Sequence, residues 1–198
     1  MRYEHRRYIN AARKPGVPDL HAQFEVVHPN FEIATRVASA KMHELGVRHV
    51  LIGGMAVGAY GTPRATKDID FLVGDEAWPS HGIVVSPIPG LPFAVGKVSV
   101  DTLLTPEELP SIVESLARGI DSEGIPVAPV EVVILMKLLA NRLQDQADIE
   151  SMLSHADHDV ARAYVKKHGP DYLAAFDAAV AYKMRQENTA RRLAKGDT

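Results

Sequence analysis

The pattern of apolar and polar residues first separates a helix and a strand in the middle of the chain. NFEIATRVASAKMHELG, residues 30–46, has Ile33 and Val37 one helical turn apart and ends in a glycine, which predicts a helix. VRHVLI, residues 47–52, is rich in β-branched residues and predicts a buried strand. The pair Gly53–Gly54 then predicts a tight turn, and the small apolar run after it predicts a short helix packed on a sheet.

Three further segments predict strands. KDIDFLV, residues 67–73, alternates strictly, so its apolar side chains face one side of a sheet and its two aspartates face the other. GIVVSP (82–87) and KVSVDTLL (97–104) are the other strand candidates, and the turn-rich PIPGLP separates them.

Helical patterns dominate the rest of the chain. TPEELPSIVESLARG, residues 105–119, begins with helix start signals, and EVVILMKLLANRLQDQADIESMLSHA, residues 131–156, is the longest helical pattern. An alanine-rich helical tail follows. This order predicts an α+β core with a helical C-terminal part. The predicted divisions are an N-terminal arm at 1–30, a core at 31–130 and a helical C-terminal region at 131–198.

Composition narrows the function classes. The 198 residues are 46% hydrophobic with a net charge of −3, so the chain can fill a core and has no overall positive field for non-specific nucleic-acid binding. The absence of cysteine excludes disulfides, zinc–thiolate sites and cysteine nucleophiles. No apolar stretch has the length of a membrane span, and the basic start lacks the apolar run of a signal peptide. We therefore expect a cytoplasmic protein without a membrane partner.

Three aspartates are candidate metal ligands. Asp68 and Asp70 are two residues apart on a predicted strand, which places both carboxylates on one face. Asp101 interrupts the apolar run VSVDTLL and would complete the cluster if that strand lies beside KDIDFLV. Hard carboxylate oxygens suit magnesium. The alternative is a solvated strand surface, with Asp101 at a strand end.

The glycine turn and the basic residues after it are candidate phosphate ligands. Gly53 and Gly54 lie between a strand and a helix, where backbone N–H groups favour phosphate. Arg64 and Lys67 flank the aspartates and would either neutralise phosphate or pair with the aspartates. Thr66 would either cap the strand or bond a phosphate.

The segment LIGGMAVGAYGTPRATKDIDFLV, with a later third acid, resembles the DNA polymerase β-like nucleotidyltransferase superfamily, especially the minimal nucleotidyltransferases of the AbiEii-type toxin–antitoxin group. The similarity covers about residues 46–155. Many members carry serine where this chain has Gly54, and that hydroxyl often helps to hold the triphosphate. Backbone amides would therefore have to supply more of the phosphate contacts here. The resemblance implies a polymerase β-like core in which Asp68, Asp70 and Asp101 hold two magnesium ions, with manganese as the alternative, for reaction with an NTP such as ATP.

The resemblance extends to the long helical pattern. The family carries a lysine followed by R-x-x-D-x-x-D, which Lys137, Arg142, Asp145 and Asp148 match here. On one continuous helix Lys137, Asp145 and Asp148 share a sector, and Leu143 lies on another face. The resemblance implies that Lys137 contacts the nucleotide phosphates and that the two aspartates act at the nucleotide or orient the cations. Surface ion pairing is the alternative.

The acceptor and the partners are expectations from the resemblance. It implies transfer of an NMP to an RNA, such as a tRNA end, or to a partner protein, with a cognate toxin or antitoxin as a further partner. The basic C-terminal stretch with Arg191, Arg192 and Lys195 favours RNA, unless it is a frayed tail. One rival is a small-molecule, antibiotic-type nucleotidyltransferase, and the other is a catalytically silent antitoxin or binding partner. SHADHD could hold a metal at His155 and His158, but a helix break with capping acids explains the segment more simply.

Overall fold

A computed structural model describes residues 14–81 and 84–195. Seven α-helices occupy this part of the chain: α1 (Leu20–Phe24), α2 (Pro29–Glu44), α3 (Gly53–Tyr60), α4 (Val130–Ala140), α5 (Leu143–Leu153), α6 (His158–His168) and α7 (Leu173–Lys195). The strands are β1 (His49–Ile52), β2 (Asp68–Val73), β3 (Ser80–His81), β4 (Val84–Val85), β5 (Ala94–Val95), β6 (Val98–Leu103), β7 (Ile120–Ser122) and β8 (Ile125–Val127). The predicted α+β class with a helical C-terminal part is confirmed.

Six of the strands form one mixed sheet in the order β5-β6-β2-β1-β8-β7. Strand β2 lies between β6, to which it is parallel, and β1, to which it is antiparallel. Strand β1 pairs with β8 in parallel. The alternating residues predicted for β2 therefore lie at the centre of the sheet, where both neighbours fix their register.

The core forms where the sheet meets the helices. All four residues of β1 are buried, and in β2 the apolar residues Ile69, Phe71 and Val73 are fully buried while the two aspartates remain partly accessible. Helix α3 packs on β1 and β2, and Tyr60 at its end donates a 2.8 Å hydrogen bond to the carbonyl of Ala128. This packing fixes the turn between β1 and α3, which carries the glycine pair.

Helix α2 confirms the predicted helix but presents a different face to the core. Ile33 and Val37 are 57% and 48% exposed, whereas Ala34, Ala38 and Met42 are fully buried. Small residues allow the helix to approach the sheet closely, so they form the buried face in spite of the bulkier residues beside them.

Two other predicted elements differ in the structure. Residues 105–119 do not form an α-helix from Thr105, because a turn intervenes and a 3-10 helix begins only at Pro110 and ends at Ala117. Of the predicted strand at 82–87 the structure describes residues 84–87, in which Val84 and Val85 form the two-residue β4 that pairs with β3. Prolines explain the first difference, since Pro110 lacks a backbone N–H and is tolerated at the start of a helix rather than inside one.

The predicted long helix at 131–156 is wrong as one continuous element. Asn141 adopts a left-handed conformation with φ of 47° and ends α4, and α5 begins at Leu143. Asparagine is one of the few residues that tolerate this conformation. Leu143, predicted to lie on a packed face, is 86% exposed because the break reorients the chain.

Part of the predicted N-terminal arm packs into the core. Helix α1 begins after Asp19, whose carboxylate accepts a 2.9 Å hydrogen bond from the N–H of Ala22, and it buries Leu20 and Phe24 against the rest of the protein. A five-residue helix is too short to show sustained periodicity, which is why its sequence suggested a loosely packed lead-in. Residues 1–13 of the predicted arm lie outside the described part of the chain. None of the helices in the described residues is both long enough and apolar enough to span a bilayer.

Candidate metal centre and adjoining cleft

Three carboxylates converge where β2 and β6 run side by side. The register places Asp70 directly opposite Asp101, and Asp68 lies two residues earlier on the same face of β2. One oxygen from each carboxylate lies within 4.8 Å of the others, so the three could hold a metal ion. Within the described residues this is the one such group of histidines and acids. The Ser99 hydroxyl donates a 3.2 Å hydrogen bond to Asp101.

The electrostatics of Asp70 favour a bound cation. Burial, together with the negative charges of Asp68 and Asp101, raises the pKa of Asp70 from 3.8 to about 6, although Lys137 and a hydrogen bond from the Gly54 N–H oppose the shift. The cluster therefore carries repulsion that its protein neighbours do not neutralise. Three carboxylates that repel one another offer hard oxygen ligands, which suit a divalent cation such as magnesium.

We expect Asp70→Asn to stabilise the metal-free protein at neutral pH. Because the folded-state pKa lies above the unfolded one, Asp70 costs stability progressively as the pH rises from about 4 to about 6. The free energy of unfolding of the variant should exceed that of the wild type by about 1–3 kcal/mol at pH 7.5, since each pKa unit corresponds to about 1.4 kcal/mol. The difference should vanish below pH 4.

Chemical denaturation at both pH values, with divalent cations chelated, measures this difference. The control is Asp101→Asn, because Asp101 is exposed and its substitution should change stability less. Equal or lower stability of Asp70→Asn at pH 7.5 would show that the cluster is already neutralised by the protein.

The glycine turn fits tightly around Asp70. Gly53 has a φ of 63°, and a Cβ at this position would overlap the Asp70 carboxylate. The Gly54 N–H donates to Asp70, and a Cβ on Gly54 would overlap the Thr66 hydroxyl. Both glycines are therefore required by close approach, and one of the amides predicted to face phosphate is directed at the metal-centre carboxylate instead.

Gly53→Ala is expected to displace the Asp70 carboxylate, and Gly46→Ala is its matched control. Both positions have φ near 70°, but a Cβ at Gly46 meets no atom within 4 Å. The two variants share the cost of a left-handed alanine, about 1 kcal/mol. Only Gly53→Ala should also weaken Mn²⁺ binding, by about tenfold or more, in a calorimetric titration. Equal Mn²⁺ affinity in the two variants would argue against the close approach.

A cleft of about 650 Å³ opens beside the carboxylates. Asp68 and Asp70 line one wall, and the glycine turn and residues 64–67 continue it. The other groups that line the cleft come from the end of α4 and the start of α5, among them Lys137, Arg142, Leu143, Gln144 and Asp145. A cavity of about 340 Å³ lies against Asp70 and Lys137 on a more apolar side, next to Ile52, Leu103 and Met136.

The cations of the cleft form a network with two buried aspartates. Lys137 Nζ lies 2.7 Å from an Asp145 oxygen and 2.8 Å from an Asp148 oxygen. Arg64 donates two hydrogen bonds to Asp148, at 2.9 and 2.8 Å. Arg142 donates to Asp145 at 2.8 and 3.1 Å. Burial opposes ionisation of Asp145, but the bonds from Arg142 and Lys137 outweigh it and lower its pKa to about 2.

This network brings together the residues predicted on one helix, although by a different geometry. Lys137 reaches Asp145 and Asp148 across the break at Asn141 rather than along one helix face. Arg64, predicted to meet phosphate or the metal-site aspartates, pairs with Asp148.

The remaining candidates are placed as follows. Thr66 donates to the carbonyl of Asp68 at 3.3 Å, and Lys67 is exposed at the rim of the cleft. The ring of His158 bonds the carbonyl of Leu153 at 2.7 Å, which favours the helix-break interpretation of SHADHD. Arg191 and Arg192 are exposed on α7.

Gln23 is a cleft-supporting residue that the sequence did not reveal. It is fully buried and bonds the backbone of Arg64 through both atoms of its amide. The signal that could have found its helix is Asp19 as N-cap, followed by Leu20 and Phe24 four residues apart.

Comparisons with known proteins find similarity at the level of structure and not of sequence. The sequence matches no protein-family profile and no curated protein. A solved structure of an antigenic nucleotidyltransferase-like protein from Paracoccidioides brasiliensis is similar to this chain with a TM-score of 0.43 and 15% identity, over 82% of this chain and 95% of that one. A match at this level carries no argument about activity, so the function must be argued from the residues of the cleft.

Proposed function

We propose that this protein is a magnesium-dependent nucleotidyltransferase that transfers a nucleoside monophosphate from an NTP to an acceptor hydroxyl. The observation that carries the proposal is the convergence of Asp68, Asp70 and Asp101 within 4.8 Å beside a cleft walled by a glycine turn and cations. Three carboxylates that repel each other suit a divalent cation, and the adjoining cations suit a polyphosphate.

Each group has a distinct task in this proposal. Asp68, Asp70 and Asp101 would hold magnesium, which would supply positive charge to stabilise the phosphates during transfer. Lys137, with Arg142 and Lys67 nearby, faces the β- and γ-phosphates and stabilises the pyrophosphate as it leaves. The network of Arg64, Asp145 and Asp148 holds Lys137 in place. Gly53 and Gly54 leave room for Asp70 and Thr66, and all three of Gly53, Gly54 and Thr66 line the cleft that would take the phosphates.

The reaction is an in-line displacement at the α-phosphorus. The acceptor oxygen forms a bond to that phosphorus while the bond to the bridging oxygen of the β-phosphate breaks, so pyrophosphate departs. Asp101 is the most exposed of the three carboxylates, so we assign it the task of receiving the hydroxyl proton. Sequence resemblance to the AbiEii-type group supports RNA, such as a tRNA end, or a partner protein as the acceptor, in a toxin–antitoxin setting.

The test is incubation of the purified protein with Mg²⁺, each labelled NTP in turn, total tRNA and an aminoglycoside. The proposal expects label on tRNA, or on a protein, that is lost when Asp68 and Asp70 are both replaced by alanine. Label on an aminoglycoside in place of RNA or protein would support the small-molecule rival. Absence of transfer together with absence of Mg²⁺-dependent NTP binding would contradict the proposal and favour the silent binding partner.

A further inference from the structure

Gln23 holds the backbone of the segment that forms one wall of the cleft. Its Nε2 donates a 2.7 Å hydrogen bond to the carbonyl of Arg64, and its Oε1 accepts a 3.1 Å hydrogen bond from the N–H of Arg64. The side chain is fully buried. One amide thus satisfies both backbone groups of one residue across 41 positions of sequence, because a carboxamide offers a donor and an acceptor side by side.

The surrounding residues are shaped for this contact. A Cβ at Gly58 would overlap the Gln23 amide, so α3 leaves room for it by carrying glycine there. Gln23 Nε2 also lies 3.8 Å from the sulfur of Met55 on the same helix. A buried amide in so close a pocket has few alternative rotamers, and the position of Arg64 is therefore closely determined.

Arg64 transmits this constraint to the cleft. Its guanidinium holds Asp148, and Asp148 holds Lys137 at 2.8 Å. The chain continues from Arg64 through Thr66 to Asp68, so the same segment carries a cleft wall and ends at the metal centre. A shift of the Arg64 backbone would move the ion pair between Arg64 and Asp148 and the start of β2 together.

We propose that Gln23 is a positioning residue, which fixes residues 64–67 against the glycine turn and thereby sets the affinity of the cleft for phosphate. The inference rests on the proposed function for the identity of the ligand as a polyphosphate. Its structural part, that Gln23 holds Arg64, stands on the two hydrogen bonds alone. Gln23 does not itself line the cleft, so its effect on a bound ligand is transmitted through Arg64, which does.

The test compares Gln23→Met with Ser122→Ala. Methionine has a similar length but makes neither bond to Arg64. Ser122 is the matched control because its hydroxyl accepts from the N–H of Leu20 at 3.1 Å and donates to the carbonyl of Pro18 at 3.2 Å. Loss of the Ser122 hydroxyl therefore loosens the start of α1, the helix that carries Gln23, without removing a bond to Arg64.

Two measurements are made on both variants. Amide hydrogen exchange of Arg64 reports the contact itself, and should be about tenfold faster in Gln23→Met than in Ser122→Ala, as expected for the loss of a net hydrogen bond. Calorimetric binding of Mg²⁺–pyrophosphate reports the cleft, and should be about tenfold weaker in Gln23→Met alone. In transfer assays the KM for the NTP should rise by a similar factor while kcat stays within about threefold.

The outcomes separate this inference from the proposed function. Equal changes in pyrophosphate affinity in the two variants, or unchanged affinity in Gln23→Met with faster exchange at Arg64, would overturn the positioning role. Pyrophosphate binding by a wild-type protein that transfers nothing would overturn the proposed transfer but leave this inference testable by affinity. A wild-type protein that binds no pyrophosphate would overturn this inference, whereas the proposed transfer is overturned only when both transfer and Mg²⁺-dependent NTP binding are absent.

Discussion

Asp68→Asn or Asp70→Asn should each reduce the rate of nucleotide transfer by about 1,000-fold or more. Asparagine keeps the size of the side chain but removes the charge and one hard oxygen ligand, so the magnesium that the proposed mechanism requires at these carboxylates would bind weakly. Metal ions contribute several kcal/mol to such reactions, and about 4 kcal/mol corresponds to a factor of about 1,000. The measurement is kcat/KM with the NTP and acceptor identified by the transfer assay.

The control for these variants is Asp75→Asn. Asp75 follows β2 in the chain but lies in the short 3-10 helix Asp75–Ala77 and does not line the cleft. Its transfer rate should stay within about twofold of the wild type. Because Asp70→Asn should also be more stable than the wild type at neutral pH, loss of activity in that variant is not explained by unfolding. Transfer within tenfold of the wild type in both metal-centre variants would contradict the assignment.

Lys137→Met should destabilise the protein by about 3 kcal/mol. Lys137 is only 10% exposed and pairs with Asp145 and Asp148, whose side chains are 1% and 4% exposed. Removing one partner of a buried ion pair leaves charge without its counterion, which typically costs 3–5 kcal/mol. Arg64 and Arg142 still pair with the two aspartates, so the expected cost lies at the lower end of this range. Chemical denaturation at pH 7.5 measures it.

Lys41→Met is the matched control for this variant. Lys41 pairs with Glu44 on the surface of α2, with 39% of its side chain exposed. Surface pairs contribute little, so this control should change stability by less than about 1 kcal/mol. A Lys137→Met variant as stable as the control would mean that the two aspartates do not depend on the lysine. Transfer activity should fall only in Lys137→Met, since Lys41 does not line the cleft.

The cluster of three aspartates was predictable because strand periodicity and composition agree. The alternation in KDIDFLV placed Asp68 and Asp70 on one face, and Asp101 was conspicuous as an acid within an apolar strand. The structure adds what one sequence does not contain, which is that β6 lies parallel beside β2 in the register that opposes Asp70 and Asp101. Pairing of distant strands is a tertiary property.

Prediction failed where a single residue or the choice of a helix face decides the outcome. The pattern across residues 131–156 continues through Asn141, whose left-handed backbone breaks the helix, because apolar spacing on either side happens to keep helical phase. Lys137 still pairs with Asp145 and Asp148 across the break, because buried charges are stable only when opposite charges lie beside them.

The support that Gln23 gives to the cleft wall could not be predicted from the sequence either. Gln23 belongs to no periodic pattern in the sequence, and the backbone group that it bonds, the carbonyl of Arg64, lies 41 residues away. The glycine at position 58 could have been recognised as unusual inside a helix, but only the structure shows that it makes room for the Gln23 amide.

The most direct test of the account is a crystal structure with Mn²⁺ and a non-hydrolysable NTP analogue, measured at the manganese absorption edge. The account predicts anomalous density between the carboxylates of Asp68, Asp70 and Asp101, with the triphosphate in the cleft beside Lys137. An analogue bound elsewhere, or a cleft that takes up the analogue without manganese at these carboxylates, would contradict the proposed metal centre.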